Sequence, residues 1–238
     1  GLFKRNPFGH ILFIKKWLIR IFGAITHSRY RSFNNLQIEG SEIIRSLPDT
    51  NVLFISNHQT YFADVVAMFH VFNASLKGRE NNIKNVLYLW NPKLNLYYVA
   101  AKETMQEGLL PRILAYAGAI TVERTWRAKG KDVTEKKEVN PNDTENIKIA
   151  LEDGWVITFP QGTTRSFKPV RKGTAHIILQ HKPIVVPIVI DGFRRSFDRK
   201  GLRIKKKGIL QSFVIKEPLK IDYENATVDE VVEMIEFA

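Results

Sequence analysis

The sequence predicts an α/β fold, with a mixed β-sheet flanked by helices and an amphipathic helical segment at the N-terminus. Short runs rich in Val, Ile, Tyr and Phe alternate along the chain with segments of helical periodicity, and this alternation favours a sheet with helices on its faces. The 238 residues suffice for one large domain, and 44% hydrophobic with 25% charged residues is an ordinary globular composition. We divide the chain into the helical segment, residues 1–38, and an α/β domain, residues 39–238.

Each predicted element rests on a local pattern of apolar residues. In strands these residues run together or alternate, and in helices they recur every three or four positions. The predicted strands are Val52–Ser56, Val86–Trp90, Tyr97–Ala101, Ala119–Glu123, Trp155–Phe159, Ile184–Ile190 and Leu210–Lys216. The predicted helices after the N-terminal segment are Asp64–Phe72, Leu110–Ala117, Asn142–Glu152, Gly173–Gln180 and Thr227–Phe237. Residues 125–146 have no apolar period and are predicted to form an exposed, mobile connection.

The net positive charge of the chain restricts the kinds of molecule that it is expected to bind. A formal net charge of +12 and an isoelectric point near 9.8 indicate an anionic partner, which is a nucleic acid, an acidic carrier protein or an anionic membrane surface. Residues 199–208 are basic but contain no aromatic side chain for base stacking, which argues against nucleic acid. The chain has no cysteine, and this excludes thiol catalysis, disulfides and thiolate metal sites.

The N-terminal segment combines positive charge with an apolar stripe. Residues 1–38 carry seven basic side chains and no acidic one. The apolar residues at helical spacing within residues 10–25 are Ile11, Ile14, Leu18, Ile21, Phe22 and Ile25. A membrane-spanning helix needs about 20 apolar residues without such charges, so this helix is predicted to lie in the membrane interface instead. The predicted membrane-binding residues are Phe13, Lys15, Lys16, Trp17 and Arg20. The alternative is a helix packed on its own domain with a solvated basic face.

The stretch FISNHQTYFADVVAMF, residues 54–69, places a histidine and a carboxylate where a strand gives way to a helix. A carboxylate that holds an imidazole fixes its tautomer and stabilises the imidazolium, so the imidazole can act as a general base. No serine stands in a nucleophile elbow. We therefore predict that His58, held by Asp64, activates a hydroxyl or an amine of the substrate itself. The alternative is that the two side chains only cap a helix or satisfy the core.

Four blocks along the chain, in this order, resemble one known family. The blocks are residues 54–64, similar to N-H-x-[ST]-x-x-D; GAITVER, 118–124; FPQGTTRS, 159–166, followed by RKG, 171–173; and VVPIVI, 185–190. Together they resemble the motifs of the glycerolipid acyltransferases, the lysophosphatidic acid acyltransferases and their relatives. The resemblance covers most of the chain.

The resemblance implies a mechanism and a set of site residues. His58 and Asp64 would deprotonate an acceptor hydroxyl, which attacks the thioester of acyl-CoA or an acyl-carrier protein directly, with no acyl-enzyme, metal or cofactor. Arg124 and the basic residues of the third block would hold an anionic headgroup, since guanidinium binds phosphate or carboxylate in a forked geometry. The implied substrate-binding residues are Arg124, Gln161, Gly162, Thr163, Thr164, Arg165 and Lys172.

The chain departs from the family pattern in three places. Five residues separate His58 from Asp64 where the family has four, Gln161 replaces a glutamate, and the third block has one threonine more, which displaces Arg165. All three changes touch the acceptor side. The expected acceptor is therefore lysophosphatidic acid or another anionic lipid, such as a hydroxyacyl amino acid lipid.

We accordingly expect a membrane-associated O-acyltransferase of lipid biosynthesis at the cytoplasmic face of a bacterial inner membrane. Its expected partners are anionic lipids and an acyl thioester donor, either coenzyme A or an acyl-carrier protein, but no nucleic acid. Two alternatives stay open. One is a non-catalytic basic protein that binds membranes or nucleic acid, and the other is an inactive relative with altered His–Asp spacing.

Overall fold

The computed structural model of the protein describes residues 2–122, 141–161 and 172–238. Its strands are β1 (Asn35–Glu39), β2 (Val52–Ser56), β3 (Leu96–Ala101), β4 (Ala119–Val122), β5 (Trp155–Thr158), β6 (Ile184–Asp191) and β7 (Leu210–Ile215). Its helices are α1 (Leu12–Thr26), α2 (Ser28–Arg31), α3 (Ser41–Arg45), α4 (Ala63–Leu76), α5 (Lys102–Met105), α6 (Leu109–Tyr116), α7 (Pro141–Asp153), α8 (Lys172–His181), α9 (Phe193–Ser196) and α10 (Val228–Glu236). A 3₁₀ turn spans Val86–Leu89.

Within the described ranges the strands form one seven-stranded sheet in the order β1-β7-β6-β2-β5-β3-β4. Strands β6, β2, β5, β3 and β4 are parallel, whereas β7 is antiparallel to β6 and parallel to β1. The predicted class, a mixed sheet flanked by helices, is confirmed. Strand β1 crosses the predicted boundary, so residues 35–38 belong to the sheet. The division into a segment 1–38 and a domain 39–238 otherwise stays a prediction.

The sheet is covered on both faces. All five residues of β2 are buried, as expected for an apolar strand at the centre of a parallel arrangement. On one face Phe54 stacks on Phe72 of α4, with ring centroids 4.3 Å apart. On the other face Leu53 and Ile55 belong to a core that includes α7, α8 and α10. The carboxyl end of β2 is therefore held between two packed layers.

Most predicted elements are confirmed with small shifts at their ends, but the predicted strand Val86–Trp90 is wrong. Asn85 has a φ of +56°, and its side-chain oxygen accepts a hydrogen bond from the amide of Leu87. This local bond starts a 3₁₀ turn in place of a strand. Strand β1 was missed because this short strand at the edge of the sheet has only two apolar residues, Leu36 and Ile38, too few to establish an alternating pattern.

The predicted mobile connection, residues 125–146, is partly contradicted. Residues 141–146 are helical, because α7 begins at Pro141 and carries Asp143 in its first turn, a typical helix start. Residues 125–140 lie outside the described residues.

Helix α1 packs against the 3₁₀ turn and α4. Gly23 permits the close approach, since a Cβ at this position would lie 2.0 Å from Cδ1 of Leu89. The outward-facing apolar residues, each at least 41% exposed, are Phe13, Ile14, Trp17, Ile21 and Ile25. No helix in the described part of the chain is long and apolar enough to cross a membrane.

The prediction that Lys15 faces a membrane surface is wrong. Its side chain is fully buried, with Nζ 3.5 Å from the carbonyl oxygen of Leu96 and 4.5 Å from the ring centroid of Tyr97. The cause is helical phase, because Lys15 shares the inward face of α1 with Ile19, one turn along. Burial lowers the pKa of Lys15 to about 7, although the nearby negative charge of Asp153 acts to raise it.

Replacing Lys15 with methionine should raise the free energy of unfolding at pH 7 by on the order of a few kcal/mol. The unfolded chain keeps the amine protonated up to its ordinary pKa of 10.5, whereas the folded chain releases the proton above about pH 7. The contribution of this group to stability therefore rises with pH across that window. Urea unfolding at pH 7 and near pH 9.5 measures the effect. The advantage of Lys15→Met should shrink at the higher pH, and an equal advantage at both would contradict a buried neutral lysine.

Candidate active site

The histidine and aspartate of the sequence motif lie at the carboxyl end of β2, next to the carboxyl ends of β5 and β6. Parallel strands end at one edge of their sheet, where α/β proteins commonly bind ligands. Because β2 ends at Ser56 and α4 begins at Ala63, His58 lies in the connecting turn and Asp64 in the first turn of the helix.

Asp64 holds His58 through the predicted hydrogen bond. Nδ1 of His58 lies 2.8 Å from Oδ2 of Asp64, and because a carboxylate only accepts, the ring nitrogen donates. The buried carboxylate also accepts from the amide of Gln59 at 2.6 Å, and from the amide and hydroxyl of Thr60 at 3.1 and 2.9 Å. These donors satisfy a charge that has no access to water. The ring is thereby fixed with Nε2 as the nitrogen left for a substrate.

The additional residue between His58 and Asp64 is accommodated before the helix begins. On a continuous helix, six positions would turn the two side chains about 240° apart, but residues 57–62 are not helical. Asn57 fixes the start of this turn, because its side chain donates to and accepts from the backbone of Ile190, both at 2.8 Å. The turn thus leaves the sheet from a defined point on β6.

A distant loop, residues 198–203, holds the other end of the turn. The amides of residues 61 and 62 donate to the carbonyl oxygens of residues 199 and 200, at 3.2 and 2.8 Å. Gly201 follows them directly at a φ of +75°, and a Cβ there would be 2.4 Å from the amide nitrogen of Ala63. Only glycine permits both this conformation and this contact.

Helix α2 adds a further support below the site. The hydroxyl of Tyr30 donates to the carbonyl oxygen of Ala63 at 2.7 Å. Burial, followed by the nearby charge of Asp64, raises the pKa of Tyr30 well above its usual value. The hydroxyl therefore stays protonated and keeps donating to the first residue of α4.

The ring of His58 borders a small cavity. It stacks on Phe159, with centroids 3.9 Å apart and an interplanar angle of 20°, and the His58 side chain is 14% exposed. The cavity has a volume of about 110 Å³ and is lined from α4, β3, α5, β4 and the end of β5. A second, apolar cavity of about 50 Å³ lies beyond Phe62, Val65 and Tyr98, which line both, and its remaining walls come from α1, α4 and α6.

The other predicted substrate-binding residues are only partly described. Gln161 is half-buried just beyond β5. Lys172 begins α8 and is exposed, with Nζ 3.7 Å from a carboxylate oxygen of Asp229. Their roles stay predictions. The predicted residues outside the described part of the chain are Arg124, Gly162, Thr163, Thr164 and Arg165.

Four residues that build the site had no predicted role. Asn57, Gln59 and Thr60 orient the turn, and Phe159 supports the imidazole. The available signal was the polar run directly after a buried strand, which marks residues at the ligand-binding edge of a sheet. Within the described residues, no three His, Cys, Asp or Glu side chains are grouped to hold a metal ion.

Comparison with known proteins identifies a family. A family model described as acyltransferase matches residues 35–191. The chain is 27% identical over 206 residues to a 1-acyl-sn-glycerol-3-phosphate acyltransferase of Cocos nucifera, covering 85% of this chain and 56% of that relative. Its fold is similar to that of the 1-acyl-sn-glycerophosphate (LPA) acyltransferase PlsC of Thermotoga maritima, with a TM-score of 0.57, 19% identity, and coverage of 94% of this chain and 76% of the other.

The family match spans the turn with His58 and Asp64 and every strand from β1 to β6. The names of the relatives support the resemblance of the sequence blocks to the glycerolipid acyltransferases. The chain belongs to the acyltransferase family.

Proposed function

We propose that the protein transfers a fatty acyl group from an acyl thioester to a hydroxyl of a lysophospholipid-like acceptor at a membrane surface. The observation that carries this proposal is the 2.8 Å hydrogen bond between His58 and Asp64, inside the segment that the family match covers. The names of the Cocos nucifera and Thermotoga maritima relatives favour a 1-acylglycerol phosphate as acceptor. Another anionic lipid, such as a hydroxyacyl amino acid lipid, is the second candidate.

The proposed reaction is direct acyl transfer with His58 as general base. Nε2 takes the proton of the acceptor hydroxyl while its oxygen attacks the thioester carbonyl carbon. The C–O bond of the new ester forms, the C–S bond breaks, and the departing thiolate takes the proton from the imidazolium. Asp64 stays ionised throughout and holds the Nδ1–H.

The hydroxyl groups beside His58 support attack by the substrate and not by the protein. The hydroxyl of Ser56 donates to the carbonyl oxygen of Asn57 at 2.8 Å, and the hydroxyl of Thr60 donates to Asp64. Both residues are buried. Neither hydroxyl is hydrogen-bonded to the imidazole, as an activated serine or threonine nucleophile would be.

The cavity that His58 borders and the apolar cavity beyond it suit the first part of an acyl chain. The apolar cavity shares Phe62, Val65 and Tyr98 with the cavity that His58 borders. Its opposite wall is α1, whose outer face is the exposed apolar surface. We place the acyl group being transferred against these shared side chains, with its carbonyl at His58 and its tail directed towards α1.

The proposed membrane contact is the outward face of α1 together with the 3₁₀ turn. Trp17 and Trp90 meet edge to face with centroids 6.4 Å apart, and the guanidinium of Arg20 lies over both rings, at 4.8 and 3.9 Å from their centroids. Exposed apolar residues surround this group, among them Ile21 and Leu87. Tryptophan and arginine at the edge of an apolar surface are typical of a helix that lies in the headgroup region.

The double variant Trp17→Ser/Ile21→Ser should bind vesicles at least tenfold more weakly. Each side chain contributes about 1.5–3 kcal/mol when fully buried in an apolar phase, and less at an interface. Flotation with vesicles containing anionic lipid measures the bound fraction. The control is Phe237→Ser, which removes an 81% exposed apolar side chain after α10, on the other face of the sheet. Equal flotation of the double variant and the control would contradict attachment through α1.

The proposed activity is tested by incubating the purified protein with vesicles, a lysolipid and either acyl-CoA or acyl-carrier protein. Mass spectrometry of the lipids should show a diacyl product that depends on both substrates. Comparing lysophosphatidic acid with a lysolipid of neutral headgroup tests the preference for an anionic acceptor. Vesicle binding without product from any pair would support a non-catalytic membrane protein instead.

A further inference from the structure

A further cleft borders the His58 turn at Gln59 and Thr60 and shares no lining residue with the cavity against Phe159. It has a volume of about 310 Å³ and borders the turn directly. Its lining residues are Gln59, Thr60, Arg194, Phe197, Asp198, Arg199 and Lys205. The proposed reaction uses none of its basic side chains.

The charge of this cleft is positive. Arg194, Arg199 and Lys205 contribute cations, and Asp198 is the single acidic residue among the lining side chains. The carboxylate of Asp198 is occupied within its own loop, because Oδ1 accepts from the amides of residues 201, 202 and 203 at 2.9–3.2 Å. The three cations outnumber the single carboxylate, so a ligand meets a positive electrostatic potential in the cleft.

The loops that form the cleft are fixed in place. The carbonyl oxygen of Arg194 lies 3.3 Å from Nζ of Lys205, and its guanidinium donates to the carbonyl oxygen of His58 at 3.3 Å. The side-chain oxygen of Gln59 accepts from the amides of residues 193 and 194. The cleft is consequently built on the same backbone that positions the general base, so a ligand held there lies at a defined distance from His58.

We propose that this cleft binds the phosphate groups of a coenzyme A-type acyl donor. The inference rests on the proposed function and adds to it the place where the donor is held. Arginine and lysine side chains that converge on a concave surface bind phosphate through charge-assisted hydrogen bonds. Because the cleft and the cavity of His58 are lined by different residues of one turn, the flexible pantetheine arm would follow that turn to bring the thioester to Nε2.

The position of the cleft favours the donor over the acceptor. In a 1-acylglycerol phosphate the phosphate is only a few bonds from the reacting hydroxyl, so both must lie on the side of His58 that carries Nε2. In coenzyme A the phosphates are separated from the thioester by the whole pantetheine arm. The cations line a concave cleft and not a flat surface, which favours nucleotide phosphates over the acidic face of a carrier protein.

Direct binding tests the assignment without any turnover. Coenzyme A is titrated calorimetrically into the wild-type protein, into the double variant Arg199→Gln/Lys205→Gln and into the control Lys206→Gln, which removes an exposed neighbouring charge that does not line the cleft. The double variant should raise the Kd by about tenfold or more, and the control by much less. Pantetheine, which lacks the nucleotide phosphates, should bind all three equally weakly. Arg199→Gln preserves the carbonyl oxygen that accepts from the turn, and equal thermal unfolding verifies the fold.

Steady-state kinetics separates this inference from the proposed function. The double variant should raise the KM for acyl-CoA by a similar factor, and leave the KM for the lysolipid and the kcat close to wild type. Acyl transfer with an unchanged KM for acyl-CoA would overturn the cleft assignment and leave the function intact. If the protein had no transferase activity but the double variant bound coenzyme A more weakly than the wild type, the cleft assignment would be supported and the proposed function would not. A wild type that binds acyl-carrier protein but not coenzyme A would overturn the assignment.

Discussion

Replacing His58 with alanine should lower the kcat of acyl transfer by about 10²–10⁴-fold, the usual contribution of a general base. The imidazole is the group that takes the acceptor proton in the proposed reaction, and the neighbouring hydroxyls of Ser56 and Thr60 are hydrogen-bonded elsewhere. The initial rate of ester formation at saturating substrate concentrations gives the effect.

A structural role of His58 can be separated from its chemical role. His58→Gln retains a hydrogen-bond donor for Asp64 and much of the side-chain volume but cannot shuttle the proton, so it should be as inactive as His58→Ala. Either change should cost stability by no more than about 1.5–3 kcal/mol, since the other donors to Asp64 remain. His176→Ala, on the exposed face of α8, is the matched control and should retain activity. An active His58→Gln variant would refute general-base catalysis by His58.

Asp64→Asn should lose both activity and stability. The carboxylate accepts from the His58 ring, from two amides and from the Thr60 hydroxyl, all of which are donors. The NH₂ group of an asparagine is itself a donor, so the donors facing it would lose their acceptor. This loss should lower the free energy of unfolding by on the order of 3 kcal/mol. The amide also cannot stabilise the imidazolium, so the kcat should fall by at least about 10²-fold even after correction for the folded fraction.

The control for this prediction acts on the same carboxylate. Thr60→Val removes one hydrogen bond to Asp64 but leaves its charge and its bond to His58. It should lower the free energy of unfolding measurably, with a much smaller loss of kcat than Asp64→Asn. If the two variants lost activity in proportion to stability, Asp64 would be a structural residue and not a partner of the general base.

Local patterns predicted much of the fold. The apolar runs at Val52–Ser56 and Trp155–Phe159 match β2 and β5 almost to the residue, because strands covered on both faces are nearly continuous runs of apolar residues. The edge strand β1 and the 3₁₀ turn were not predicted correctly. Strand β1 has only two apolar residues, too few to establish an alternating pattern. At the turn, a single side-chain hydrogen bond to Asn85 outweighs the β-propensity of the residues that follow.

The sequence pattern does not determine which face of α1 is buried. Its apolar residues surround most of the helix, so the sequence leaves two faces able to be the inner one. Packing decided between them, since Gly23 and Ile19 fit against the 3₁₀ turn and the core, and Lys15 on the same face was buried as a consequence. Ile14, Ile21 and Ile25 of the predicted apolar stripe are exposed, whereas Lys15 is not.

The sequence by itself determined the family blocks, the identity of His58 and Asp64, and most helices and strands, because each depends on residues close together in the chain. Only the tertiary structure decided that five intervening residues still permit the hydrogen bond. That outcome depends on contacts from the loop 198–203 and from β6, more than 130 positions away, which hold both ends of the turn. No local periodicity encodes such contacts, since they exist only when the sheet has assembled and brought the carboxyl ends of its strands together.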